Sequence, residues 1–226
     1  TRLGLPGIPE AAETVAVARD LALIEQTGCR AHFCGLSSAR AVAMVAEAQK
    51  RGLPVSADAT AHHLHLTEHD ISDFDTQCHV RPPLRSKKDR EALRRALKSG
   101  VLGAVCSDHQ PHEPDAKLAP FAQSEPGISA LETLLPLMLK LVDENVLELV
   151  EAIALLTSKP AQILGIEAGQ LRIGATADVC VFDPKQAWTL TEDQIVSRGH
   201  NTPFLGDEFR GRVTHTLVGG KVVFEL

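Results

Sequence analysis

Asp108, His109 and His112 close the apolar run Val101-Leu-Gly-Ala-Val-Cys106, which has the length of a buried strand. A strand that ends in a carboxylate and imidazoles presents chemistry as α/β barrels do, with side chains at the mouth and the strand behind them locked in the core. In that position Asp108 could ligate a divalent metal or move a proton, and His112 could hold an anionic group. One carboxylate is not a zinc site, which takes three or four protein ligands. The cluster His62-His63-x-His65 could supply more donors. If residues 59–66 continue as a strand, His63 and His65 share one face and His62 takes the other. Loop packing and hydrogen bonding are the commoner uses of such a cluster. His32 and Cys34 also share a strand face, within an apolar run that reads as core, and Glu132 on an apolar helix reads as a satisfied carboxylate.

The elements that must position these residues follow from periodicity. Residues 10–26 carry apolar side chains at Val15, Val17, Leu21, Leu23 and Ile24 in helical spacing, and Gly28 ends the helix. A strand over residues 30–37, a helix capped by Ser37-Ser38 and running to Gly52, and a strand over 53–59 complete a βαβ-like unit. The segment from Thr60 through the Pro82-Pro83 pair to Arg85 reads as a long ordered loop, since two prolines forbid helix and central strand. Residues 87–100 form an amphipathic helix feeding the strand that ends at Cys106, and 113–127 are loop. Apolar helices are expected over 128–144 and 146–156, then a break at Lys159-Pro160 and a short helix over 161–164.

From about residue 171 short β runs take over. Asp178–Phe182 is a strand stopped by Asp183-Pro184, and 211–218 turns at Gly219-Gly220 into 221–224 as a hairpin. The boundary is placed near residue 168, giving a barrel-type portion over 1–168 with about three βα units and a small β-module over 169–226. A complete eight-stranded barrel needs roughly 250 residues. On that reading the chain, which begins with Thr1, holds only the last part of one and is a processed or truncated piece.

Bulk properties narrow the class. A formal charge of −6 argues against a nucleic-acid surface. The sequence isoelectric point near 5.9 agrees, and a mean hydropathy of −0.02 is ordinary for a globular protein. No apolar run reaches the roughly 18 residues that would span a bilayer. Five cysteines in no CxxC framework read as small reduced residues of a cytoplasmic protein.

The blocks Arg2-Leu-Gly-Leu-Pro-Gly-Ile-Pro9, Ala61-His-His-Leu-His-Leu-Thr-Glu68, Arg81-Pro-Pro-Leu-Arg85, Ser107-Asp-His-Gln-Pro-His112, Gly127-Ile-Ser-Ala-Leu-Glu-Thr133 and Asn201-Thr-Pro-Phe-Leu-Gly206 occur in this order. In them the chain resembles the C-terminal part of a type I dihydroorotase of the amidohydrolase superfamily. The resemblance implies an α/β fold, the C-terminal part of a (β/α)8 TIM barrel with a small β-sandwich module. It implies zinc as cofactor and reversible cyclisation of N-carbamoyl-L-aspartate to dihydroorotate in pyrimidine biosynthesis, a metal-bound hydroxide attacking the ring amide. It assigns Asp108 as proton shuttle and metal ligand, and His112 as the group that binds the substrate carboxylate.

Three positions depart from the resemblance. The metal-ligand histidine of strand six is Gly35, the substrate-contact asparagine is Arg81, and the Phe-Gly pair against the substrate is Pro126-Gly127. The remaining ligand positions of the family fall upstream of Thr1. Retained scaffold with dismantled chemistry implies a noncatalytic homologue serving aspartate transcarbamoylase as structural or regulatory partner, and forming a homo-oligomer. The alternatives are a working zinc dihydroorotase or another cyclic-amide hydrolase.

Overall fold

The computed structural model describes residues 3–5 and 7–226, so Arg2 and Pro6 of the first block lie outside the described residues. The chain divides into two compact units. The first runs to Leu131 and takes back Val196–Pro203; the second comprises Glu132–Ile195 and Phe204–Leu226. The expected boundary near residue 168 does not coincide with this division: the helices after Leu131 group with the β-rich C-terminal region.

The first unit is built on three parallel strands, β1 (Ala31–Phe33), β2 (Val55–Thr60) and β3 (Ala104–Cys106), in the order β1-β2-β3. Ala31 pairs with Val55 and Asp58 with Ala104, which makes β2 central. Its residues are nearly all buried, Ala57 and Ala59 fully so. Parallel strands need crossovers, and helices α2 (Ala39–Lys50) and α3 (Lys87–Ser99) supply them after α1 (Glu10–Thr27) leads in. Val42 and Val45 of α2 and Leu93 and Leu97 of α3 form the buried helical faces. Each helix has local stop signals. Gly28 and Gly100 take left-handed backbone at C-termini, and Ser38 accepts from Ala41 N–H at 3.2 Å. Ser86 and Asp89 form a reciprocal capping box on α3.

Three expectations from the sequence are corrected in this unit, the first being the strand over 30–37, of which only Ala31–Phe33 pairs. Residues 61–66 do not continue β2: His62–Leu64 form a 3-10 turn, because Leu64 N–H turns back to Ala61 O and Leu66 N–H to His62 O. The strand before Asp108 is also shorter than Val101–Cys106, with only Ala104–Cys106 in the ladder.

The second unit contains α4 (Leu131–Asp143), α5 (Leu149–Ala154), α6 (Ser158–Leu164) and an antiparallel sheet in the order β4-β5-β6. Pro160 does not break a helix but sits in the first turn of α6, where its missing N–H leaves no bond unmade. Nor does Asp183-Pro184 end the strand. β4 (Val179–Thr189) passes it through an irregularity between Asp183 and Ala187, since β4 pairs on one side only and tolerates a proline there. The hairpin of β5 (Glu208–Val218) and β6 (Lys221–Glu225) forms as expected. Gly211 packs against Leu139 so closely that a Cβ would lie 2.0 Å from its Cδ1, which fixes the sheet on α4. Trp188 donates to Gly211 O at 3.0 Å, and Phe209 packs at a tilt against Trp188 and edge-on to Phe204.

Candidate functional site at the strand ends

The polar groups of the first unit gather where β1 ends beside the middle of β2 and in the loop after β3. Parallel pairing sets His32 beside Ser56 and Phe33 beside Ala57, so the next step along both chains brings Cys34 level with Asp58. Side-chain alternation then places His32, Cys34, Ser56 and Asp58 on one face. Asp58 is buried and accepts three groups. Gly35 N–H reaches its Oδ1 at 2.6 Å, the Cys106 thiol reaches the same oxygen at 3.5 Å, and His32 Nε2 lies 2.9 Å from Oδ2. Ser56 Oγ is 2.7 Å from the other ring nitrogen of His32. Burial, reinforced by the Asp58 charge, pushes both the Cys34 and the Cys106 thiols above their ordinary range. His32, Cys34 and Asp58 offer ligand atoms that all lie within 4.8 Å of one another.

After β3 the chain turns through Asp108, whose φ of 47° is left-handed. A non-glycine residue held there stores roughly 1 to 3 kcal/mol, a feature that clusters at functional sites. The Asp108 carboxylate accepts from Gln110 Nε2 at 2.9 Å. His109 is committed to structure: its Nδ1 accepts from Ala130 N–H at 3.0 Å, which leaves Nε2–H to donate to Ser197 Oγ at 3.0 Å. His112 donates Nε2–H to Pro126 O at 3.1 Å, since a carbonyl can only accept. Buried Asn201 ties this loop together, accepting His112 N–H at 2.7 Å and donating to Gln110 O and Gly127 O at 2.9 and 3.0 Å. At Gly127, with φ of 141°, a Cβ would lie 2.6 Å from Gln110 Cβ and 3.1 Å from His112 Nε2, so only glycine fits.

The structure therefore brings Asp108, His112, Pro126 and Gly127 into one loop system. Arg81 lines a different feature, a cleft of about 480 Å³ shared with Leu3, Leu5, His79, Leu84 and Phe121. Gly35 has a left-handed φ of 64°, and a Cβ built on it would meet nothing nearer than Thr60 Cγ2 at 4.0 Å. The position is roomy but carries no ligand, and its N–H is already given to Asp58. Asp108 and Gly35 alone do not fit zinc, which needs three or four donors.

The three histidines after β2 are not drawn into a donor set among the described residues. His63 Nδ1 bonds Thr60 Oγ1 at 2.6 Å and its Nε2 faces Pro83 O at 3.3 Å. Both ring nitrogens of His62 are buried without a hydrogen-bond partner, and burial holds its pKa well below the usual histidine range. Lys117 is likewise buried, its pKa lowered to about 8 by desolvation, with Nζ donating to Thr76 O and Glu125 O.

Sequence reasoning misses Asp58. An acid inside a strand run gives no motif, and the one available signal is parallel registration of residues 30–34 with 54–58.

A model described as the amidohydrolase family matches residues 5–223. A dihydroorotase-like protein of Pseudomonas putida is 53% identical over 220 residues, covering 97% of this chain and 52% of that protein. A dihydroorotase of Syntrophus aciditrophicus is 45% identical over 225 residues, covering 100% of this chain and 53% of that protein. The solved L-hydantoinase (dihydropyrimidinase) from Arthrobacter aurescens aligns with a TM-score of 0.90 at 29% identity, over 96% of this chain and 49% of that one. The chain spans about half the length of the curated relatives it matches. With three parallel strands joined by helices, and a family match across nearly its whole length, this chain belongs to the amidohydrolase family.

Proposed function

We propose that the chain is the C-terminal part of a dihydroorotase-like protein of pyrimidine biosynthesis, catalytically impaired and acting in the cytoplasm as a structural or regulatory partner of aspartate transcarbamoylase. The observation that carries this reading is Gly35. At a strand end where the resemblance asks for a metal-binding imidazole, it offers no side chain, and its N–H is spent on Asp58. Losing one of a site's few direct ligands removes the fixed ion on which a hydroxide would form. The engagement of His112 Nε2–H by Pro126 O supports the same conclusion, because that proton is not free for a substrate carboxylate. The β4-β5-β6 sheet is read as part of a β-sandwich, supported by Val222, Val223 and Phe224, which lie exposed on β6. Among the described residues no helix is long and apolar enough to cross a membrane.

A second reading, an active zinc dihydroorotase, draws on the left-handed Asp108, which keeps a strained carboxylate at the end of β3. The decisive experiment is an assay of dihydroorotate hydrolysis by the full natural chain with its metal content measured in parallel. Turnover at background supports impairment; substantial turnover overturns it. Failure to co-purify with aspartate transcarbamoylase overturns the partnership. The pair Gly35→His with Arg81→Asn is expected to recover part of the missing metal binding. Recovery is incomplete because histidine in left-handed backbone costs about 1 kcal/mol or more.

A further inference from the structure

We propose that His32, Cys34 and Asp58 form a thiolate-containing site for a zinc-type divalent ion where the end of β1 meets the middle of β2. The site adjoins Gly35, which contributes a backbone N–H to Asp58 and no side-chain ligand. It does not depend on whether the chain turns over dihydroorotate.

Imidazole nitrogen, thiolate sulfur and carboxylate oxygen are the donor set that borderline-soft zinc prefers. The three ligand atoms already lie within 4.8 Å of one another. Zinc bonds of about 2.0 to 2.3 Å arranged tetrahedrally separate ligand atoms by about 3.5 Å, so a contraction of up to roughly 1.3 Å completes the site. Cys34 is exposed and can rotate to supply it, and the same exposure gives an ion its way in.

The surroundings orient two of the three ligands. Ser56 Oγ, 2.7 Å from His32 Nδ1, can accept an Nδ1–H and so turn the lone pair of Nε2 toward the ion. A hydrogen bond to the far nitrogen is how ligating histidines are ordinarily held. Gly35 N–H and the Cys106 thiol both occupy Asp58 Oδ1, which leaves Oδ2 on the side of His32 Nε2. Cys106 is thus a support for Asp58 and not a ligand. On binding, the Cys34 S–H bond breaks, its proton passes to solvent and a sulfur–metal bond forms. The Nε2–H of His32, held by Asp58 Oδ2 before binding, passes to solvent while Nδ1 takes up a proton that Ser56 Oγ accepts, and nothing is oxidised or reduced.

The test is to strip the full natural chain with a chelator and titrate it with Co2+, then Zn2+. A sulfur-to-cobalt charge-transfer absorption is expected, displaced by Zn2+. Cys34→Ser should abolish that absorption and weaken binding at this site at least about tenfold. Cys106→Ser should keep it. Far-ultraviolet circular dichroism of the exposed-site variant Cys34→Ser confirms that it folds. Absence of the absorption, its survival in Cys34→Ser, or its loss in Cys106→Ser alone overturns the assignment. None of these readouts reports turnover, so the fate of this site and that of the impaired-enzyme reading are separate results.

Discussion

Where the end of β1 meets the middle of β2 the donors converge on one side chain, the Asp58 carboxylate, whereas after β3 each polar side chain is tied to a different partner. Convergence leaves a cluster that could trade its protons for an ion. The loop at Asp108 to His112 is instead pinned by separate bonds to Gln110, Pro126 and the distant Asn201. The family's recognisable motif thus sits in the self-satisfied region, and the most versatile chemistry sits where no motif points.

Breaking the convergent region should have the largest effect. Asp58→Ala strands Gly35 N–H, the Cys106 thiol and the His32 ring around a buried gap, and should cost about 3 kcal/mol in denaturant unfolding. A loss below about 1 kcal/mol would mean that water replaces the carboxylate and that the cluster is loosely built. Asn201→Ala, which deletes the clamp on the β3 loop, should cost about 2 kcal/mol and speed hydrogen exchange at the His112 amide. Unchanged exchange there would show that the loop holds without its clamp. The smallest effect concerns the turn after β2. His62 is neutral in the fold with a depressed pKa, so the unfolded chain binds the extra proton. Stability from this group is complete above the unfolded value near 6.5 and is lost as pH falls below it, by at most about 1.4 kcal/mol per pH unit. Thermal unfolding of His62→Leu should show a shallower acid-side decline; an identical slope would place the pH sensitivity elsewhere.

Much of the scaffold is legible in the order of the residues. Helix α3 follows from apolar spacing, the ends of α1 and α3 from terminal glycines, and the β5–β6 hairpin from Gly219-Gly220, because these are local signals read within a few residues, although Val15 and Leu23 of the apolar pattern in α1 lie exposed. Elements that depend on partners escape such a reading. The turn at His62 to Leu64 and the continuation of β4 past Pro184 are decided by which backbone groups find neighbours, and a linear pattern cannot supply that. The site divides in the same way. Asp108 and His112 stand out as residue types at the end of an apolar run, while the role of Asn201 as their clamp joins positions 89 residues apart.

The sequence by itself determined the α/β character, the family through its ordered blocks, and the absence of a side-chain ligand at Gly35. Local spacing carries the first, and the resemblance of the ordered blocks carries the other two. Only the tertiary structure decided that His32, Cys34 and Asp58 meet, because parallel register between β1 and β2 brings together residues 24 to 26 positions apart. No periodicity within either strand encodes which residue of the other it will face.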